Sequence, residues 1–233
     1  MSKITEQDFI NFFKYYKDEA HQQAAIRQLY SELSDELKSD ASDWIVTYRT
    51  PLTPTTSNPL NVPYQSQNDN ASGTGYRECF SSSCAMVAMY YGKIENDDAY
   101  NLVRQKYGDS TDAQAQVRTL RSLGLEANFI TNATTGDVKQ AIDAGRPVPC
   151  GWLHHGSVSH PSGGGHYSVV IGYNDTAWII HDPNGEANLV NGGYTNNLDG
   201  SNQSYSYKNW NPRWIVEGEG SGWLMDIRDP SKN

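Results

Sequence analysis

The sequence is short of cysteine, of basic residues and of long apolar runs, and each shortage excludes a class of protein. Its three cysteines are an odd number with no regular spacing, which argues against a disulfide framework and leaves at most one bridge. Lysine and arginine total 18 against 27 aspartates and glutamates, for a formal net charge of −9. General binding to a phosphate backbone needs clustered cations, so nucleic acid is not an expected partner.

Long apolar stretches are missing as well. No run is long enough to span a bilayer or to act as a secretion signal. We therefore expect synthesis in the cytoplasm, no membrane partner, and action on a cell wall only after release by another agent. A mean hydropathy of −0.68, with 15 tyrosines and 6 tryptophans against 5 phenylalanines, indicates a soluble, loop-rich globular protein. The sequence does not predict its oligomeric state.

Three segments are expected along the 233 residues. Residues 1–48 have the pattern of two amphipathic helices, a helical appendage. Residues 49–61, RTPLTPTTSNPLN, contain three prolines and predict an extended connection. Residues 62–233 form the main domain, which ends in an aromatic-rich region. Its helical patterns come first, and its strand patterns, PVPCGWL, HYSVVIGY, AWIIHD, RWIVEG and GWLMDI, come second, which predicts an α+β fold.

The stretch 78–92, ECFSSSCAMVAMYYG, predicts a buried helix, because it is apolar almost all round and has no glycine or proline before Gly92. With Ser81 or Ser82 as the cap, Cys79 lies just outside the first turn. Free backbone N–H groups and the helix dipole stabilise a thiolate there. Cys84, one turn further in, is expected in the core. A buried structural thiol is the alternative for Cys79.

His166 and Asp182 mark the ends of two predicted strands. His166 follows three glycines at 163–165, and Asp182 precedes a proline. A hairpin turn centred on Asn174 would place the two residues directly opposite each other, with Cβ atoms ~5 Å apart. An ordinary pair at two strand ends is the alternative interpretation.

A cysteine, a histidine and an acid together have the composition of a nucleophilic site. The acid orients the imidazole, and the imidazole takes the thiol proton. Gln67, in the loop before the helix, suits the role of oxyanion donor beside the backbone N–H of Cys79, and Gln65 is its competitor.

Metal sites are two further alternatives. A zinc site would use four histidines and one cysteine, whose spacing matches no familiar motif: His154, His155, His160, His166 and Cys150. A calcium site would use oxygen ligands that are also typical of any tight turn: Asp182, Asn184, Glu186 and Asn188. We expect neither a metal nor a cofactor, and His154 and His155 are expected to line a cleft instead.

The motif order VPYQSQNDN, ECFSSSCAMVAMYYG, GGGHYSVVIGYND and IIHDPNGE resembles the papain-like cysteine peptidases of the double-glycine, bacteriocin-leader-processing type, which include stand-alone bacterial and bacteriophage forms. The resemblance covers residues 62–186. It implies a papain-like α+β fold, with a central buried helix packed on an antiparallel sheet. It further implies four catalytic residues: Gln67 as oxyanion donor, Cys79 as nucleophile, His166 as base and Asp182 as orienting acid.

Four residues around this constellation are expected to bind the substrate: Phe80, Trp152, His155 and Gly165. Phe80 departs from the family pattern, which has glycine after the nucleophile. The resemblance implies a cysteine peptidase or amidase acting on a peptide or isopeptide, and a peptidoglycan endopeptidase of lysin type is favoured because no transporter segments accompany the domain. The alternatives are a peptide-binding or wall-binding protein without activity, and a processing peptidase for a protein precursor.

Overall fold

The structure, a computed structural model, describes residues 59–232 and two isolated helical positions, Asp8 and Asn11. Contacts divide the chain into two compact units, Met1–Thr55 and Thr56–Asn233, and the second unit is the one described below. The helical appendage and most of the proline-rich connection lie outside the described residues, so those remain predictions. Within residues 59–232, the helices are all too short or too polar to cross a membrane.

Residues 59–232 contain five α-helices, and the last of them was not predicted. Side chains cap three of them: Asn96 accepts the Ala99 N–H, Asp112 accepts the Gln114 N–H, and Thr134 forms a capping box. Short 3-10 turns at Gln67–Asp69 and Gly75–Arg77 precede the first helix. The helices are α1 (Cys79–Tyr90), α2 (Asp97–Arg104), α3 (Ala113–Ser122), α4 (Thr135–Asp143) and α5 (Tyr207–Trp214).

Helix α1 is buried over most of its length, as predicted, but it begins earlier than predicted. Residues 80–88 are all buried, including three consecutive serines. Cys79 is the first helical residue and Glu78 is the N-cap, so the prediction that Ser81 or Ser82 caps the helix is wrong. Ser81 and Ser82 have other partners inside the protein. Ser82 Oγ, for example, donates to Asp97 Oδ2 at 2.6 Å, which ties α1 to the start of α2.

Six of the eight strands form one antiparallel sheet in the order β1-β8-β2-β3-β4-β7, and β5 and β6 form a separate ribbon. The predicted α+β class is confirmed. The strands are β1 (Glu126–Ala133), β2 (Val148–Trp152), β3 (His166–Tyr173), β4 (Ala177–His181), β5 (Glu186–Ala187), β6 (Tyr194–Asn196), β7 (Gln203–Ser206) and β8 (Gly222–Arg228).

Two strand assignments differ from the sequence pattern. Strand β1 lies between α3 and α4, where no strand was predicted, and pairs with β8 from the other end of the domain. The segment RWIVEG is not a strand: Arg213 and Trp214 end α5, and a turn follows. The reason is the spacing of Trp210 and Trp214, which are four residues apart and stack on each other with ring centroids at 5.3 Å when the chain is helical.

Side chains cover both faces of the central sheet. Along β3, Val169 and Ile171 face the core around α1, whereas Val170 faces a second core that contains Trp152 and Trp178. This alternation follows from the two-residue period of a strand. The start of α1 packs against β3, so the first residues of these two buried elements meet in a fixed geometry.

Candidate active site

Cys79 is half-buried at the start of α1, and its surroundings favour the thiolate. Burial raises the pKa of the thiol. The charge of His166, a hydrogen bond with His166 and the backbone N–H of Tyr167 lower that pKa by more, so it lies below the ordinary cysteine value. Cys84 and Cys150 are fully buried, and burial raises their pKa values. All three cysteines are free thiols, and only Cys79 has the character of a nucleophile.

His166 and Asp182 form a buried ion pair beside Cys79. Asp182 Oδ1 lies 2.7 Å from His166 Nε2, and the side chains of both residues are almost completely inaccessible. Burial lowers the pKa of His166, but the negative charge of Asp182, followed by that of Cys79, raises it to about 10. Because Nε2 is taken by the carboxylate, Nδ1 is the ring nitrogen left for the thiol. A cationic imidazole and a thiolate therefore stabilise each other.

The predicted strand register between these residues is wrong by two positions. Val169 pairs with His181, which places Ser168, rather than His166, opposite Asp182 when that register is continued. A shift of two keeps both side chains on the same face of the sheet, whereas a shift of one would have separated them. His166 consequently reaches Asp182 diagonally.

The turn explains this shift. Asn174 Oδ1 accepts hydrogen bonds from the backbone N–H groups of Thr176 and Ala177, each at 2.9 Å, so the loop lies beyond Asn174 instead of being centred on it. A β-bulge between Val170 and Gly172 adds a further irregularity.

Two tyrosines that sequence reasoning did not assign to the site hold the Asp182 carboxylate. Tyr205, on β7, donates to Oδ2 at 3.0 Å, and Tyr194, on β6, approaches Oδ1 at 3.4 Å. The backbone N–H of Asn184 adds a bond to Oδ1 at 3.0 Å. A buried carboxylate needs such donors. The sequence gives no signal for them, because only the pairing of β7 with β4 brings Tyr205 to Asp182.

Of the two candidate glutamines, the structure places Gln67 next to the segment that leads into α1. Gln67 is 3% exposed, and its Nε2 donates to the Gly75 carbonyl at 2.8 Å. One N–H of the amide remains after that bond. Gln65 is directed elsewhere: its Nε2 donates to the Tyr64 carbonyl and its Oε1 accepts from the N–H of Asp97.

Phe80 and Trp152 pack around the pair formed by Cys79 and His166. The Phe80 ring stacks on Tyr167, with centroids 3.6 Å apart and planes 4° from parallel. These two rings belong to the residues that follow Cys79 and His166, so the stack links the two elements beside the site. Trp152 stands edge-on to the His166 ring at 5.4 Å, and its Nε1 donates to Ser168 Oγ at 2.8 Å.

A groove of about 580 Å³ opens at Cys79. Gly165 adopts a φ of +90°, and a Cβ placed on Gly164 or Gly165 would meet no other atom within 4 Å, so this wall of the groove is open. Phe80 lines the groove with little exposed surface. His155 lies outside the lining and packs on His154, with ring centroids at 3.9 Å. Other lining residues include Trp152, Trp214, Val216 and Trp223.

The histidines near the groove do not form a metal site with other side chains of residues 59–232. Residues 59–232 contain no group of three or more His, Cys, Asp or Glu side chains that could hold a metal ion. Cys150 lies in the core of β2, and Asp182 is occupied by His166 and Tyr205. His154 is neutral at ordinary pH, because burial and then the charges of its neighbours His166 and His155 lower its pKa to about 4.

Comparisons with known proteins agree with these motifs. The model of the Peptidase_C39 like family matches residues 59–213. One similar solved structure is a double-glycine-motif protease from an AMS/PCAT transporter in complex with the leader peptide. It shows 18% identity over 73% of this chain and 93% of that chain, with a TM-score of 0.47.

Two further solved structures are similar. The peptidase domain of Streptococcus ComA, a bifunctional ABC transporter, shows 20% identity over 66% of this chain and 92% of that chain, with a TM-score of 0.43. A C39-like peptidase from Bacillus anthracis shows 15% identity over 71% of this chain and 94% of that chain, with a TM-score of 0.49. No curated protein matches the chain. Membership of the family therefore rests on the family model.

Proposed function

We propose that the chain, which belongs to the Peptidase_C39 like family and is a cysteine peptidase, cleaves its substrate through Cys79, His166 and Asp182. The observation that carries the proposal is the buried His166–Asp182 pair, 2.7 Å between Nε2 and Oδ1, beside a half-buried cysteine whose pKa is lowered. Such a cysteine, paired with an oriented imidazole, has the arrangement that nucleophilic catalysis requires.

In the proposed reaction, the Cys79 thiolate attacks the carbonyl carbon of an amide, and the π electron pair moves to the oxygen. The backbone N–H of Cys79 and the free N–H of the Gln67 amide stabilise this oxyanion. His166 then gives its Nδ1 proton to the nitrogen as the C–N bond breaks, which leaves a thioester on Cys79. Water attacks the thioester, His166 takes a proton from that water, and the acid leaves as the thiolate is regenerated. Asp182 holds the imidazole in position throughout.

For the substrate we propose a bacterial cell-wall peptide. The open wall at Gly164 and Gly165 leaves room for a branch next to the scissile bond, as an isopeptide would require, and the aromatic lining suits a partly apolar chain. A precursor peptide with a double-glycine site is the second candidate, favoured by the family match.

Activity is tested by incubating the full chain with purified peptidoglycan and, separately, with a double-glycine peptide. New amino groups and fragment masses are followed for wild type, Cys79→Ala and the matched core variant Cys84→Ala. We expect release from wild type and Cys84→Ala and none from Cys79→Ala. Equal release from wild type and Cys79→Ala would overturn the mechanism, and cleavage of the double-glycine peptide alone would replace the proposed substrate.

Iodoacetamide separates an enzyme from a protein that only binds peptides. We expect selective alkylation of Cys79 that persists well below the ordinary cysteine pKa, because His166 lowers the pKa of this thiol. A Cys79 that reacts no faster than Cys150 would support the binding protein instead.

A further inference from the structure

Glu78, the residue immediately before Cys79, has a buried carboxylate that the proposed mechanism does not use. Its side chain is 1% exposed. Glu78 occupies the N-cap position of α1, yet its side chain makes no capping bond to the helix. Burying a carboxylate is costly unless several donors compensate for the lost water, so its partners indicate what the carboxylate does.

Those partners come from the loop before α1 and from α2. Oε2 accepts from Asn70 Nδ2 at 2.7 Å, from Ser72 Oγ at 2.7 Å and from Asn101 Nδ2 at 3.3 Å. Oε1 accepts from Thr74 Oγ1 at 2.9 Å. Hydrogen bonds to an ionised acceptor are stronger than those between neutral groups. The carboxylate therefore holds loop 70–74 at three points and ties it to α2.

The loop that Glu78 holds continues directly into the contact that fixes Gln67. The Gly75 carbonyl accepts both the Gln67 Nε2–H at 2.8 Å and the backbone N–H of Glu78 at 2.9 Å. The packing at this point is tight, because a Cβ on Gly75 would lie only 1.9 Å from the Gln67 carbonyl oxygen. A displacement of loop 70–74 would therefore displace the Gln67 side chain through its contact with Gly75.

We propose that Glu78 is the positioning residue of the oxyanion site and holds both donors in place. One donor is the backbone N–H of Cys79, the next residue in the chain, and the other is the Gln67 amide, which is held through Gly75. This inference rests on the proposed function. Glu78 acts on the hydrogen bonds to the developing oxyanion, and it has no part in forming the thiolate.

Two reagents separate these effects without knowledge of the natural substrate. p-Nitrophenyl acetate acetylates Cys79 through an oxyanion: the Sγ–C bond forms, the ester C–O bond breaks, and p-nitrophenolate leaves with the electron pair. Iodoacetamide alkylates the same thiolate by direct displacement of iodide and forms no oxyanion. For Glu78→Gln we expect acetylation to slow by about tenfold or more, given the ~10²–10³-fold effect of losing one oxyanion donor. Alkylation is expected to stay within about threefold.

Three further variants complete the test. Glu95→Gln removes an exposed carboxylate and should behave as wild type in both reactions. Glu78→Gln with Asn70→Asp exchanges donor and acceptor across the 2.7 Å contact and should recover part of the acetylation rate. If Glu78→Gln does not fold, Ser72→Ala with Thr74→Val releases the loop while the carboxylate keeps its two amide donors, and the same selective loss is expected.

The ratio of the two rates decides the outcome. Unchanged acetylation, or an equal loss of acetylation and alkylation, would overturn the role of Glu78. Failure of the proposed function has a different signature, which is a wild-type Cys79 that neither reagent modifies selectively.

Discussion

Two buried carboxylates flank the nucleophile, and they differ in what they hold. Asp182 is completely buried and contacts an imidazole that carries a positive charge, with phenol groups as its other side-chain partners. Glu78 is almost as buried, but its hydrogen-bond donors are amides and hydroxyls, and its nearest cation, Arg104, is 3.8 Å away. A charged partner couples the first acid to proton transfer. The second acid has neutral hydrogen-bond donors and an ion pair with an arginine that does not exchange its proton, which gives it a role in loop geometry.

The site therefore has two halves, each supported by a different buried carboxylate. The half with His166 and Asp182 sets the protonation state of Cys79. In our proposal, the half with Glu78 and Gln67 positions the N–H groups that stabilise the oxyanion. The Phe80–Tyr167 stack joins them. Substitutions in one half should therefore leave the characteristic signal of the other half unchanged.

The largest expected effect is that of Asp182→Asn. The amide keeps the volume but loses the charge that raises the pKa of His166, and we expect kcat to fall by about 10⁴-fold, the order found when the acid of such a triad is neutralised. The check is kcat on whichever substrate wild type cleaves, together with the pKa of His166 by NMR. A His166 pKa that stays near 10 would contradict the assignment.

Phe80→Ala should disturb both halves at once. The variant loses a buried aromatic ring and its stack on Tyr167, so we expect the free energy of unfolding to fall by about 3 kcal/mol or more. Urea denaturation measures this loss. Phe80→Leu, which keeps most of the buried volume without the stack, is the control and should retain more than half of the lost stability. Equal losses in the two variants would mean that the stack on Tyr167, rather than packing volume, supplies this stability.

Tyr205→Phe should act on the Asp182 half alone and more mildly. It removes the hydroxyl that donates to Asp182 Oδ2 at 3.0 Å and accepts from the N–H of Ala187 at 2.9 Å. Losing such bonds costs about 1–3 kcal/mol, so we expect a stability loss of that order and a fall in kcat of about tenfold. The ratio of the acetylation rate with p-nitrophenyl acetate to the alkylation rate with iodoacetamide should not change. A selective loss of acetylation would contradict the division of the site into two independent halves.

The pH dependence of alkylation should separate the halves with the smallest change. His166 lowers the pKa of Cys79, so His166→Ala should shift the midpoint of iodoacetamide reactivity to higher pH. The main influences on this pKa are burial, His166, Tyr167 and Asp182, so Glu78→Gln should leave the midpoint nearly in place. Reactivity measured from pH 4 to 10 gives both midpoints. An upward shift of the midpoint in Glu78→Gln would mean that Glu78 also contributes to thiolate formation.

Local patterns predicted the buried helix well and the details of the site less well. Helix α1 followed from an apolar run without breakers, whereas α5 was not predicted. The start of α1 was misplaced by three or four residues, because the serines chosen as caps, Ser81 and Ser82, find partners across the core instead. Strand β1 was missed because two of its four apolar residues are alanines, which are weak strand formers, and its pairing with β8 supplies the stability.

The order of a glutamine, a cysteine before a buried helix, a histidine after glycines and an aspartate before a proline was enough, in the sequence alone, to indicate the family of this protein. Which groups contact those residues depended on the tertiary structure. Tyr205 reaches Asp182 across paired strands, and Glu78 reaches Asn101 on another helix, so neither contact has a local signal. Residues far apart in the chain meet only where packing places them, and packing depends on the whole fold.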